Sequence, residues 1–63
     1  MIEFTIPTMT CGHCVRTVTE TVHQVDAQAS VDIDLAAHRV RIESEHASED
    51  FKQALADEGY QPA

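Results

Sequence analysis

Two cysteines stand three positions apart in the segment M-T-C-G-H-C, residues 9–14, and the 63-residue chain has no others. One thiol in a loop and one on the first turn of a following helix can point at a common centre, and Gly12 lets the backbone bend between Cys11 and Cys14. A helix N-terminus stabilises negative charge and so favours the thiolate form. Thiolates prefer Cu(I) and other soft ions to Mg²⁺ or Ca²⁺. The spacing therefore indicates a soft-metal site or a redox pair.

Three other interpretations of the cysteine pair compete with a soft-metal site. A thioredoxin-type redox pair would need a larger fold, and the Trp-Cys-Gly-Pro-Cys signature is absent, although a small dithiol redox protein stays an open alternative. A structural zinc site takes four protein ligands, and His38 and His46 do not follow at finger spacing. Two buried structural cysteines would not be expected among Thr, Gly and His in a polar loop.

Composition narrows the class of partner. Eleven acidic and four basic residues give a formal net charge of −7. Such a chain would repel a phosphate backbone or an anionic membrane, so we expect neither nucleic-acid binding nor stable membrane insertion. It suits cations or partners with basic patches. The length predicts a single domain, residues 1–63, without a deep substrate pocket, which favours a binding protein over an enzyme.

The expected compartment is the cytoplasm. No apolar run approaches the roughly 18 residues of a transmembrane helix. The start at Met1 lacks the basic and long apolar regions of a signal peptide. Cytosolic thiols are normally kept reduced, so a ligand or redox role is more plausible than a structural disulfide.

Alternation and helical spacing predict the elements on both sides of the cysteines. A first strand carries apolar residues at alternate positions from Ile2 to Ile6. A helix over about residues 12–25 has one apolar stripe, formed by Val15, Val18, Val22 and Val25. A second helix is capped by Ser48 and stopped by Gly59, and its buried stripe is Phe51, Ala54 and Leu55. Residues 60–63 are expected to form a short last strand limited by Pro62.

Residues 29–35 and 39–43 predict a hairpin with one register. Pairing the two strands through Ala36-Ala37 brings opposite charges together and apolar residues together, in the pairs Asp34–Arg39, Asp32–Arg41, Ile33–Val40 and Val31–Ile42. The resulting order is β-α-β-β-α-β. This predicts an α+β, ferredoxin-like fold with two helices on one face of a four-stranded antiparallel sheet.

With M-T-C-G-H-C after a first strand, the Val stripe, the charged hairpin and Gly59-Tyr60, the chain resembles the heavy-metal-associated domain family over nearly its whole length. Within that family it is similar to the small bacterial copper chaperones of the CopZ type. The resemblance implies that Cys11 and Cys14 hold Cu(I) with low coordination. It also implies delivery by thiolate exchange to a similar domain of a copper-exporting P-type ATPase. Thr8 departs from the family, which commonly has Gly before the motif Met.

The resemblance leaves several functional questions open. The chain could instead be a metal-binding domain of a metal-transporting ATPase, and Ag(I), Hg(II) or Zn(II) could replace Cu(I). Met9 is expected as a hydrophobic anchor of the loop rather than a ligand. Secondary candidates near the metal are His13, which could join a copper-bridged homodimer, and Tyr60, which could hydrogen-bond a thiolate. His38 and His46 are read as ordinary loop residues.

Overall fold

The computed structural model describes residues 1–63 as three strands and two helices. In chain order these are β1 (Ile2–Thr5), α1 (Gly12–Val25), β2 (Ser30–Asp34), β3 (Arg39–Glu43) and α2 (Ser48–Asp57). The sheet order is β1-β3-β2, and both neighbours pair antiparallel with β3. Helices α1 and α2 pack on each other and on one face of the sheet, enclosing a core of nine residues: Ile6, Met9, Val18, Val22, Ala29, Val40, Ile42, Phe51 and Leu55.

The hairpin register predicted from the sequence is confirmed in every pair. The structure places opposite one another Asp34 and Arg39, Ile33 and Val40, Asp32 and Arg41, and Val31 and Ile42. A shift by one residue would turn the apolar side chains of both strands towards solvent, so burial and charge select the same register. This fixes the turn between β2 and β3 at the end of the sheet where β1 ends.

The basic side chains of β3 find their ion pairs on β1. Glu3 forms an ion pair with Arg39 through one carboxylate oxygen and with Arg41 through the other, each with an N···O distance of 3.3 Å. All three side chains are about half exposed on the open face of the sheet. The aspartates of β2 stand opposite the same arginines in register, but the ion pairs form with Glu3.

Helix α1 has the predicted bounds but a different buried stripe. Val18 and Val22 are fully buried, whereas Val15 lies outside the core cluster, and Cys14 packs against the core instead. Thr21 is buried too. Its hydroxyl donates to the carbonyl oxygen of Thr17 at 2.8 Å, so its burial leaves no unpaired polar atom. The rotation of the stripe turns one cysteine partly inward.

The two ends of α2 differ in how far they follow the sequence prediction. Ser48 is the first helical residue, and Ala47 precedes it as an N-cap without a side-chain hydrogen bond, so the predicted Ser48 cap is wrong. Gly59 ends the helix as predicted, with φ at +87°. Its N–H donates to the carbonyl of Ala56, and the N–H of Tyr60 donates to that of Leu55 at 2.8 Å. These two bonds form a Schellman motif, which needs a left-handed residue at the position of Gly59.

The predicted fourth strand is not shown. The segment after α2 makes one backbone hydrogen bond to β1, from the N–H of Ala63 to the carbonyl of Thr5 at 2.8 Å. Pro62 is buried beside it but has no N–H to extend a ladder. The sheet therefore has three strands, and that one backbone bond joins the C-terminal segment to the last residue of β1. Neither helix has the length and apolar character needed to cross a membrane.

Candidate metal site

The thiols of Cys11 and Cys14 lie together at the start of α1. Cys11 is the residue before the helix, in an extended conformation, and its carbonyl accepts from the N–H of Val15 at 3.2 Å. Its side chain is exposed, whereas that of Cys14 is half-buried. The two sulfur atoms are 3.2 Å apart, and both cysteines are free. The chain thus presents a paired dithiol at a helix N-terminus, where negative charge is favoured.

The pair has no further protein ligand within reach. No group of three or more His, Cys, Asp or Glu side chains is arranged to hold a metal ion. A closed structural zinc site takes four protein ligands, so this site does not fit that class. Two sulfurs at the start of α1, one exposed and one half-buried, fit a soft ion of low coordination number.

Tyr60 stands next to Cys14 and changes the chemistry of its thiol. The Tyr60 hydroxyl is the main cause that lowers the pKa of Cys14 to about 7, and the backbone at Thr10 and the thiol of Cys11 act in the same direction. Correspondingly, the neighbouring thiol and burial raise the pKa of Tyr60. The Schellman turn at Gly59 directs the chain back so that the aromatic ring packs against the core beside Cys14.

Met9 and His13 occupy opposite environments around the pair. Met9 is fully buried in the core, two positions before Cys11, and its N–H donates to the carbonyl of Ile6 at 3.1 Å. His13 is exposed on the first turn of α1, where its carbonyl accepts from the hydroxyl of Thr17 at 3.1 Å. The anchor role of Met9 and the possible metal contact of His13 stay predictions.

One residue that the sequence left as an ordinary loop residue reaches this site. His38, at the end of the β2–β3 turn, has φ at +55°, and its Nδ1 lies 2.8 Å from the carbonyl oxygen of Met9. The only local sign was a four-residue turn without Gly or Asn, in which some residue had to take the left-handed conformation. His46 lies at the opposite end of the sheet, beside Asp50 and Phe51.

Comparisons with known proteins agree with this geometry. A family model described as the heavy-metal-associated domain matches residues 3–61. The copper chaperone Atx1 from Synechocystis PCC6803, in a trimeric form and as a histidine-to-tyrosine mutant, is 38% identical over 100% of both chains, with a TM-score of 0.96. A gold binding protein is 37% identical over 98% of this chain and 95% of that chain, with a TM-score of 0.95.

A third structure comes from work on crosstalk between Cu(I) and Zn(II) homeostasis. It is 38% identical over 100% of both chains, with a TM-score of 0.94. No curated protein sequence matches the chain.

Proposed function

This chain belongs to the heavy-metal-associated domain family, and from that premise we propose that it is a copper chaperone, a non-enzymatic carrier that binds Cu(I) through the thiolates of Cys11 and Cys14. The observation that carries the proposal is the pair of free sulfurs, 3.2 Å apart at the start of α1, with no third ligand group. We take residues 1–63 as one metal-binding domain acting in the cytoplasm, where thiols are kept reduced.

Exposure of the two sulfurs suggests an order for metal transfer. A partner thiolate adds to the bound Cu(I), one of the two original Cu–S bonds then breaks, and a second partner thiolate replaces the other. No electron is transferred, and the released thiolate takes up a proton or stays ionised. Cys11 is exposed and Cys14 is half-buried beside Tyr60. An incoming thiolate therefore approaches Cu(I) from the side of Cys11, and the Cu–S bond to Cys11 is the first to break.

The distribution of charge favours approach of an anionic thiolate. Residues 4–15 contain no Asp, Glu, Lys or Arg, although the chain as a whole has a formal net charge of −7. No carboxylate on the loop itself opposes the partner's sulfur, while the acidic surface elsewhere attracts a partner with a basic surface. We propose the metal-binding domain of a copper-exporting P-type ATPase as that partner. A copper-bridged homodimer is the second assembly that exposed Cys11 and His13 permit.

Cu(I) is proposed as the cargo because thiolates select soft ions and because a copper chaperone is among the most similar structures. The likeness to a gold binding protein agrees with softness as the selecting property. Thr10 in the motif also favours copper, since zinc-exporting relatives in this family often carry Asp at that position.

A titration of the reduced protein tests the proposal. Cu(I) is added anaerobically against a competing chelator to wild type, to Cys11→Ser with Cys14→Ser, and to Glu45→Gln as an exposed control at the opposite end of the sheet. The proposal predicts one tightly bound Cu(I) in wild type and control, and none in the double variant. Equal binding by all three proteins would refute it.

A small dithiol oxidoreductase is the second candidate, favoured by the closeness of the sulfurs and by the pKa of Cys14 at about 7. Disulfide turnover by metal-free protein separates the two candidates. Catalytic turnover without metal would favour the oxidoreductase, and stoichiometric oxidation alone would favour the carrier.

A further inference from the structure

His38 holds a backbone conformation that side chains rarely adopt. It is the one non-glycine residue with a positive φ, at +55°, and it ends the turn between β2 and β3. Its own N–H donates to the carbonyl of Leu35 at 3.2 Å, which closes the turn. Left-handed non-glycine residues persist where surrounding contacts hold them, so the contacts of His38 identify what the conformation serves.

Two of those contacts reach the end of β1 and the loop before the thiols. The carbonyl of His38 accepts from the N–H of Ile6 at 2.7 Å. Its Nδ1 lies 2.8 Å from the carbonyl oxygen of Met9, across 29 positions of the chain. A carbonyl oxygen only accepts, so Nδ1 carries a proton and donates. The protonated imidazole keeps the same N–H, and the bond therefore does not require the neutral form.

Met9 is consequently fixed at three points. Its side chain is fully buried, its N–H is bonded to Ile6, and its carbonyl is bonded to His38. The neighbouring loop residues Pro7, Thr8 and Thr10 are all exposed. The contacts of Met9 are therefore the anchor of the chain on the N-terminal side of Cys11, while α1 holds Cys14.

We propose that His38 is a positioning residue for the thiol pair: its Nδ1–H···O bond to Met9 holds the loop so that Cys11 stays beside Cys14 before a metal ion arrives. The proposal rests on the proposed metal-binding function. Preorganised ligands lose less freedom on binding, so the bond raises metal affinity and slows spontaneous release. Removing one neutral hydrogen bond of this kind is expected to weaken Cu(I) binding about three- to tenfold.

Three substitutions separate the hydrogen bond from the turn. His38→Asn keeps both the tolerance for positive φ and an amide donor close to the place of Nδ1. The Asp side chain of His38→Asp has nearly the same shape as Asn, but it carries only acceptor oxygens, which repel the carbonyl of Met9. His38→Gly suits the left-handed turn and has no side chain. All three retain the backbone bond from Ile6 to residue 38.

Metal-free measurements come first. In ¹H–¹⁵N spectra of the neutral His38 ring, the proton is expected on Nδ1. Hydrogen exchange at the Met9 amide should be unchanged in His38→Asn and faster in the Asp and Gly variants. Protonation on Nε2 alone, or equal Met9 exchange in all four proteins, would overturn the proposal.

Cu(I) affinity and release to a chelator are then measured, together with unfolding in urea. The expected result is affinity within about twofold of wild type for Asn, and about three- to tenfold weaker for Asp and Gly. A loss in all three that merely follows their loss of stability would overturn the proposal, because it would mean a purely structural role. Absence of Cu(I) binding by wild type would refute the proposed function, while Met9 exchange would still decide whether His38 positions the loop.

Discussion

Removing the hydroxyl of Tyr60 is the most direct way to change the pKa of the Cys14 thiol while leaving the cysteine itself in place. That hydroxyl is the largest cause of the lowered pKa of Cys14, which is about 7. Tyr60→Phe keeps the aromatic ring that packs on the core and removes only the hydroxyl. The backbone at Thr10 and the thiol of Cys11 continue to stabilise the thiolate. We therefore expect the pKa of Cys14 to rise from about 7 but to stay below its ordinary value.

The shift has a measurable kinetic consequence. At pH 7, a pKa of 7 leaves about half of Cys14 ionised, and a rise of about one pH unit in that pKa would leave about one tenth. The thiolate is the nucleophile, and a thiolate of higher pKa is somewhat more reactive. For a rise of that size, alkylation by iodoacetamide at pH 7 should therefore slow about two- to fivefold in Tyr60→Phe. Reduced, metal-free protein is alkylated to low extent from about pH 5.5 to about pH 9.5, and tandem mass spectrometry separates modification at Cys14 from that at Cys11.

The control removes a hydroxyl from α1, the helix that carries Cys14. Thr19→Val deletes a hydroxyl that donates to the carbonyl of Val15 at 2.8 Å. Its pH profile for Cys14 should match that of wild type. An unchanged midpoint in Tyr60→Phe, or an equal shift in Thr19→Val, would refute the assignment of the lowered pKa to the Tyr60 hydroxyl.

Three further substitutions test the scaffold by urea denaturation. Gly59→Ala should lower the free energy of unfolding by about 1 kcal/mol, because φ is +87° although an added Cβ meets no atom, and unchanged stability would contradict this. Asp26 accepts from the hydroxyl of Ser44 and from a backbone N–H, which lower its pKa, so Asp26→Asn should destabilise the fold at neutral pH. That difference should shrink as the pH falls below about 4, because the carboxylate of the unfolded wild-type chain then takes up its proton before that of the folded chain does, and a difference independent of pH would count against it. Glu3→Gln should cost under about 1 kcal/mol, since its ion pairs are half exposed, and a larger loss would show that they contribute more than surface pairs do.

The parts of the fold that follow local patterns were predictable. The β2–β3 register was confirmed because charge and hydrophobicity specify the same pairing. Helix α1 has its predicted bounds, and its last residue, Val25, is also the last residue of the predicted apolar spacing. Gly59 ends α2 because a left-handed turn favours glycine. The predicted fourth strand does not form, because Pro62 has no N–H to donate to a strand ladder at residues 60–63.

The parts of the site that depend on long-range contacts were not fully predictable. Cys11, Cys14 and Tyr60 were singled out from motif and resemblance, and the structure brings them together. The contact between His38 and Met9 joins segments 29 positions apart, and no period or motif marks it. Cys14 rather than Val15 packs on the core. The sequence did not predict this, because a helical stripe assigned from valines alone leaves the rotation of the helix uncertain by about one residue.

Cys11 and Cys14 are proposed to carry Cu(I) in the cell. The most direct measurement is metal analysis of wild type and of Cys11→Ser with Cys14→Ser, both purified anaerobically from cells supplied with copper. We expect about one copper per wild-type chain, little zinc, and no copper in the double variant. Zinc in place of copper, or equal copper in both proteins, would contradict it.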